Sequence, residues 1–134
     1  MKVAICIDDN HGMLFNKRRQ SKDKAVLADL MRDEKKIYIH SFSEKMFEEY
    51  SGQVVVDDDF LNKAVEGEMC FVENRTLTIY EGKIEELIIY KWNRKYPADF
   101  RLDLDLSNWE QKETWEFVGN SHEKITKETY IRKN

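Results

Sequence analysis

The side chains with the greatest capacity for chemistry are concentrated in one N-terminal segment, residues 8–23. Arginine guanidinium groups can make bidentate contacts to phosphate or carboxylate, and histidine can act as an acid or a base near neutral pH. The segment therefore suits recognition of a phosphorylated small molecule or an RNA backbone. The alternative is a solvated polar loop that leads into a helix. The candidate ligand-binding residues are Asp8, Asp9, Asn10, His11, Asn16, Arg18, Arg19, Gln20 and Asp23.

The predicted elements around this segment place it where ligands commonly bind. An apolar run at residues 2–7 predicts a buried strand that ends in a turn. A helix is predicted at residues 21–32, with Ser21 able to cap its first turn. Loops at the carboxyl ends of strands form the ligand crevice of open α/β sheets. His122 is assigned to a hairpin turn rather than to a site.

Strands and helices alternate through residue 92. Further strands are predicted at residues 36–40, 54–56, 69–72 and 87–92, and further helices at 41–52, around 61–65 and at 76–85. Ser41 and Glu44 have the spacing of a capping box. The alternation predicts an α/β fold with a mainly parallel central sheet, and the remainder predicts antiparallel strands at one edge.

Composition limits the class of protein. The 134 residues predict a single domain, 1–134, with 41% apolar residues, 36% charged residues and a net charge of −4. This charge disfavours extensive nucleic-acid binding. No apolar run approaches the ~20 residues of a membrane span, and the run at residues 3–7 is shorter than the ~7 residues of a signal peptide. A cytoplasmic protein without membrane contact is predicted.

The cysteines and histidines do not have the spacing of a metal site. Cys6 and Cys70 each lie in an apolar, strand-like run, which favours reduced thiols in the core. No Cys-x-x-Cys or His-Glu-x-x-His spacing occurs in the sequence. No metal site is therefore predicted.

The most specific pattern lies in the C-terminal part. The strand at 87–92 is followed by an acidic segment at 99–105, by Asn108-Trp109, by an aromatic segment at 115–118 and by Asn120-Ser-His122. This order resembles the C-terminal half of dihydrofolate reductase, and the resemblance extends over nearly the whole chain. It implies a mainly parallel central sheet with flanking helices and a C-terminal antiparallel hairpin. The chain is short between residues 42 and 69, which implies a truncated adenosine-binding region.

The residues that would carry the chemistry of this family differ here. The family transfers hydride from NADPH to a pterin, and paired glycines let its backbone approach the cofactor phosphates. Glu73-Asn74 takes their place, Arg19-Gln20 replaces the usual Pro-Trp, and Tyr90 replaces a threonine. The carboxylate of the family's first helix falls near Asp23, for which a helix-dipole role is the alternative. No cofactor is expected, except NADPH if its site survives in altered form, and standard dihydrofolate reductase activity is not expected.

Two further resemblances concern short segments. Residues 40–45 match the family's phosphate-binding segment loosely, and a capping box alone is the simpler interpretation. The N-terminal run also resembles small bacterial proteins labelled ribonuclease Z. That enzyme binds zinc through a His-x-His-x-Asp-His cluster, whereas this chain has three histidines, His11, His40 and His122. Zinc-dependent ribonuclease Z activity is therefore not expected.

Three functions stay open from the sequence. The leading hypothesis is a dihydrofolate reductase-like protein that lacks the standard NADPH signature and binds a small anionic or nucleotide-like ligand. The first alternative is a protein-interaction module of immunity or antitoxin type, in which the acidic residues 57–59 and 48–49 face a basic protein. Such acidic surface is also ordinary solubilising charge. The second alternative is a divergent NADPH-dependent reductase.

Overall fold

The computed structural model describes residues 1–133. Within this range the strands are, in chain order, β1 (Lys2–Ile7), β2 (Gly12–Phe15), β3 (Arg18–Arg19), β4 (Ile37–Ile39), β5 (Val54–Val56), β6 (Met69–Phe71), β7 (Glu86–Lys91), β8 (Phe100–Arg101), β9 (Trp109–Phe117) and β10 (Ile125–Arg132). The α-helices are α1 (Lys24–Arg32) and α2 (Phe60–Lys63), and 3-10 helices span Ser41–Gln53, Thr78–Lys83 and Leu106–Asn108.

Seven strands form the central sheet, in the order β5-β4-β6-β1-β7-β10-β9. β5, β4, β6, β1 and β7 are parallel, and β1 pairs with β7 from Lys2 opposite Glu86 to Ile7 opposite Lys91. β10 runs antiparallel to both β7 and β9. The predicted α/β fold, with a mainly parallel sheet and a C-terminal antiparallel hairpin, is confirmed.

Apolar layers cover both faces of the central sheet. On one face α1 packs Val26, Leu30 and Met31 against buried strand residues such as Ile39. On the opposite face α2 packs Phe60 against a second cluster of buried residues. Strands covered on both sides read as continuous apolar runs, which is why β1 and β7 were recognisable in the sequence. The packing of α1 fixes its N-terminus beside the carboxyl ends of β1 and β7.

The helices differ from the sequence prediction in type and in their caps. The segments predicted as helices at 41–52 and 76–85 are 3-10 helices. His40, rather than Ser41, caps the first of them, since its Nδ1 accepts a hydrogen bond of 2.9 Å from the N–H of Phe42. Asp23, rather than Ser21, caps α1. No helix in residues 1–133 is both long and apolar enough to cross a membrane.

The polar segment at residues 8–23 contains regular structure. β2 and β3 form a hairpin, and β8 pairs with β2 to complete a small antiparallel sheet. The two turn residues, Asn16 and Lys17, have φ angles of 51° and 63°. Positive φ at both central residues is the requirement of a type I′ hairpin turn. The hairpin ends immediately before the cap of α1 and delivers Arg19 and Gln20 to the edge of the central sheet.

Candidate functional site

A narrow cleft lies at the carboxyl ends of β1, β6 and β7, beside the N-terminus of α1. Its interior volume is about 20 Å³. This is enough for about one water molecule, because a water needs at least ~10–15 Å³ of such space. The position is the one at which open α/β sheets bind ligands. Its lining includes Cys6, Arg19, Gln20, Asp23, Glu73 and Trp92.

A bidentate ion pair between Arg19 and Glu73 occupies one wall of the cleft. The Nε and Nη2 atoms of Arg19 lie 2.8 Å from the two carboxylate oxygens of Glu73. Ser43 donates a further hydrogen bond of 2.6 Å to Oε1 of Glu73. The hydrogen bonds and charge of Glu73 raise the pKa of Arg19. Arg19 is therefore not a free cation, and the charge of Glu73 is neutralised within the chain.

A second carboxylate lies at the start of the 3-10 helix Ser41–Gln53. Asp58 accepts hydrogen bonds of 2.7 Å from the N–H and 3.0 Å from the hydroxyl of Ser41. These hydrogen bonds lower the pKa of Asp58. The serines that sequence comparison matched to a phosphate-binding segment, Ser41 and Ser43, thus both donate to carboxylates of the chain itself.

Asp8 is a buried centre of hydrogen bonding beneath the cleft. Its carboxylate accepts hydrogen bonds from the N–H groups of Asn10, Gly12 and Tyr96, at 2.9, 2.7 and 3.0 Å, and from Nε2 of Gln20 at 3.2 Å. Burial would raise the pKa of Asp8, but the hydrogen bonds from these N–H groups lower it below its ordinary value. Asp8 therefore holds the turn after β1 and orients Gln20.

Asp23 joins α1 to the loop between β9 and β10. Its Oδ1 accepts from the N–H groups of Ala25 and Asn120, both at 2.8 Å. Its Oδ2 lies 2.9 Å from both the N–H of Ser121 and Nδ1 of His122. Burial would raise the pKa of Asp23, but these hydrogen bonds lower it to about 2. The carboxylate is ionised and acts as more than a helix cap.

His122 is held rigidly although it lies in a hairpin loop. Its side chain is 2% exposed. The imidazole stacks on the indole of Trp92, with ring centroids 4.6 Å apart and an angle of 20° between the planes. Its Nε2 lies 3.0 Å from the hydroxyl of Ser21 and 3.1 Å from that of Tyr96. The assignment of His122 to the hairpin turn is correct in position, and the turn places it beside Asp23.

The predicted site residues divide into two groups. Arg19, Gln20 and Asp23 line the cleft, with Asp8 below them. The remaining five lie at the surface, near the tip and the base of the β2–β3 hairpin. They are not among the residues that line the cleft. These five are Asp9, Asn10, His11, Asn16 and Arg18.

Sequence reasoning missed a buried ionic network on α1. Asp29 accepts hydrogen bonds from the hydroxyl of Tyr90 at 2.7 Å and from Arg32 at 3.0 Å, and it pairs with Lys127 at 2.8 Å. Burial and the carboxylate of Asp29 raise the pKa of Tyr90. A signal was present, since Asp29 interrupts the apolar face of α1. Sequence reasoning also assigned no site role to Tyr96, and nothing in its local sequence marks one.

Comparison with known proteins gives a structural likeness alone. No protein-family model matches the chain, and no curated protein does either. Among solved structures, dihydrofolate reductase from Enterococcus faecalis, complexed with NADP(H) and RAB-propyl, matches with a TM-score of 0.66. The match covers 100% of this chain and 97% of that chain at 14% sequence identity. The resemblance to proteins labelled ribonuclease Z finds no support in these comparisons. The chain has a dihydrofolate reductase-like fold.

Proposed function

We propose that this chain binds a small nucleotide-like ligand in the cleft, through a heterocycle that presents an N–H donor to Gln20. The observation that carries this function is Oε1 of Gln20, which is buried and has no hydrogen-bond partner among residues 1–133. The amide orientation is fixed, because Nε2 faces two acceptors, Asp8 at 3.2 Å and the carbonyl of Pro97 at 3.1 Å. A buried acceptor without a donor costs about 1–3 kcal/mol, which a ligand N–H would recover.

The charges around the cleft favour a heterocycle over a simple anion. Arg19 is paired with Glu73, and Asp23 carries a negative charge. An inorganic anion brings mainly acceptors and would compete with Glu73 for the guanidinium of Arg19. A nucleobase brings N–H donors and a flat apolar ring, which suits Gln20 and the side chain of Trp92. Of the two ligand classes that the sequence suggested, the nucleotide-like class is therefore the better match.

Dinucleotide binding is disfavoured by two carboxylates of the chain. Glu73 takes the hydrogen bonds of Arg19 and Ser43, and Asp58 takes those of Ser41. A pyrophosphate would have to displace both carboxylates and then lie beside them. NADPH is therefore not the expected cofactor, and a divergent reductase would require a rearranged site. The volume of about 20 Å³ does not separate these ligands, because the cleft would have to open for a nucleobase as much as for a nicotinamide or a pterin ring.

The acidic run at residues 57–59 gives less support to an interaction module. Asp57 pairs with Lys63 at 2.8 Å, and Asp59 accepts from Asn62 at 2.7 Å. With Asp58 on Ser41, each of the three carboxylates has a partner within the chain. A basic protein would have to compete with these contacts, so the cleft is the stronger candidate.

The test is a thermal-shift titration with the four ribonucleosides, NADPH and inorganic phosphate as separate probes. At about 100 times its dissociation constant, a bound nucleoside adds about 2.7 kcal/mol of stability, a shift of several degrees. We expect a shift with at least one nucleoside and none with phosphate or NADPH. Gln20→Leu should abolish the nucleoside shift, whereas Gln111→Leu on the exposed face of β9 should keep it. A shift with NADPH alone would favour the reductase hypothesis instead.

A further inference from the structure

Ser21, His122 and Asp23 form a continuous hydrogen-bonded series beside the cleft. The hydroxyl of Ser21 lies 3.0 Å from Nε2 of His122, and Nδ1 of His122 lies 2.9 Å from Oδ2 of Asp23. Ser21 and Asp23 precede α1, whereas His122 comes from the loop between β9 and β10, 99 positions further along than Asp23. The series thus joins two neighbouring groups at the start of α1 to a histidine that is distant from them in the sequence.

The protonation of the imidazole follows from its neighbours. Asp23 is ionised and accepts at Oδ2, so Nδ1 of His122 carries the proton that lies between them. In the neutral imidazole the lone pair of Nε2 then points to the hydroxyls of Ser21 and Tyr96. Stacking on Trp92 fixes the plane of the ring. The imidazole is therefore held in the tautomer and orientation that a general base for a serine requires.

We propose that Ser21 is a nucleophile for acyl transfer, with His122 as its base and Asp23 as the group that orients the base. The activity is hydrolysis of small esters, which goes beyond the ligand binding proposed above and does not depend on it. Cys6 is the other nucleophilic atom in the cleft, but burial raises the pKa of its thiol, which keeps it protonated. Ser21 is half-buried, lines the cleft and has a base in place.

The proposed ester hydrolysis has two stages, formation of an acyl-serine and its hydrolysis, and water is the second reactant. Oγ of Ser21 bonds to the ester carbonyl carbon while its proton moves to Nε2 of His122. The carbon–oxygen bond to the alcohol then breaks, and the leaving oxygen takes that proton. Water attacks the acyl-serine and gives a proton to Nε2, and the acyl–Oγ bond breaks as Oγ recovers a proton. The products are one carboxylic acid and one alcohol.

The hydroxyl of Tyr96 is a second neighbour of the proposed base. This hydroxyl and that of Ser21 share Nε2 of His122, at 3.1 and 3.0 Å, and a single lone pair accepts one of them fully. Tyr96 is not among the residues that line the cleft, so its hydroxyl serves to orient the imidazole and has no assigned contact with substrate. Unless the cleft opens, its interior volume of about 20 Å³ admits only an acyl group of a few atoms. Acetyl esters are therefore the substrate class to test.

The experiment uses 4-nitrophenyl acetate for turnover and a fluorophosphonate to label the nucleophile. We expect the wild-type protein to hydrolyse the ester and to carry the label on Ser21, identified by peptide mass spectrometry. Ser21→Ala should lose the label and at least ~10²-fold in rate, as loss of a nucleophile with its base implies. Ser107→Ala removes a remote hydroxyl that donates to Asp105 at 2.7 Å and should change neither.

Two results would contradict the proposed role of Ser21 as a nucleophile. Equal hydrolysis by wild type and Ser21→Ala, or absence of label on Ser21, would overturn the acyl-transfer role and leave a latch between α1 and the hairpin loop. His122→Gln should slow hydrolysis, but it removes buried contacts and can lower stability. Ser21→Ala loses one hydroxyl only, so it decides the question if His122→Gln fails to fold. Nucleoside binding by Ser21→Ala, measured separately, distinguishes this failure from a failure of ligand binding.

Discussion

Replacement of Asp23 by asparagine is the sharpest test of how the cleft is held together. Asp23 is 3% exposed, and its carboxylate accepts hydrogen bonds from Ala25, Asn120, Ser121 and His122. Asparagine has nearly the same shape, but one of its two oxygens becomes an NH₂ group that cannot accept. The substitution therefore removes charge and acceptors while it leaves packing almost unchanged.

The magnitude follows from the pKa of the group. Lowering the pKa of Asp23 from its ordinary 3.8 to about 2 means that the ionised form stabilises the folded state by about 2.4 kcal/mol. This stability is fully present above pH 3.8 and is lost as the pH falls through 3.8 towards 2. Replacement by a neutral isostere should cost about the same amount at pH 7. For a chain of 134 residues this corresponds to a fall in Tm of roughly 7–12 °C.

Urea unfolding at pH 7 measures the loss, with Asp33→Asn as the matched control. The side chain of Asp33 is 69% exposed, so its replacement should change the free energy of unfolding by less than about 0.5 kcal/mol. Carbon-detected NMR of the wild type should show Asp23 titrating near pH 2. A variant within 0.5 kcal/mol of wild type, or a titration midpoint at or above 3.8, would refute the reasoning.

Three other substitutions probe the surroundings of the cleft. Tyr90→Phe removes the hydroxyl that donates to buried Asp29 and should lower the free energy of unfolding in urea by about 1.5–3 kcal/mol. Gly12→Ala would place a methyl group 2.6 Å from Cβ of Ala98 and should cost about 1–3 kcal/mol in the same assay, whereas Gly52→Ala, with open space around it, should not. Glu73→Gly should leave NADPH binding absent in a thermal-shift titration, because Asp58 still occupies the N-terminus of the neighbouring 3-10 helix; a shift with NADPH would contradict the role given to that carboxylate.

The parallel strands of the central sheet could be predicted from the sequence, while the small β3-β2-β8 sheet and the type of several helices could not. β1 and β7 are buried on both faces and read as continuous apolar runs. Residues 41–53 carry apolar side chains at spacings that also suit an α-helix. The backbone leaves helical geometry at Phe47, with φ −99° and ψ 16°, and at Tyr50, with φ −118° and ψ 24°. These departures depend on packing against the sheet, which no local pattern encodes.

The sequence predicted only part of the candidate site. The remaining part depends on contacts between residues that are distant in the sequence. Arg19 and Gln20 were recognised as polar residues at a strand end, and the structure adds that Glu73 is the partner of Arg19. Asp23 was recognised as a first-turn acid, but its second role comes from His122 in the hairpin loop. The spacing of residues along the chain predicts which side chains share a face of one helix or strand. It does not predict contacts between residues on different elements.

Glu73 and Asp58, the two carboxylates at the sheet edge, have the same physical role. Arg19, Ser41 and Ser43 present hydrogen-bond donors at the edge of the fold where a phosphate-binding protein would hold its ligand, and donors left without acceptors would destabilise it. Glu73 and Asp58 supply those acceptors from within the chain. Each carboxylate therefore both satisfies the donors and opposes a phosphate. On this reasoning a dihydrofolate reductase-like scaffold can remain stable without a dinucleotide, because its own carboxylates satisfy the donors that a phosphate would otherwise satisfy.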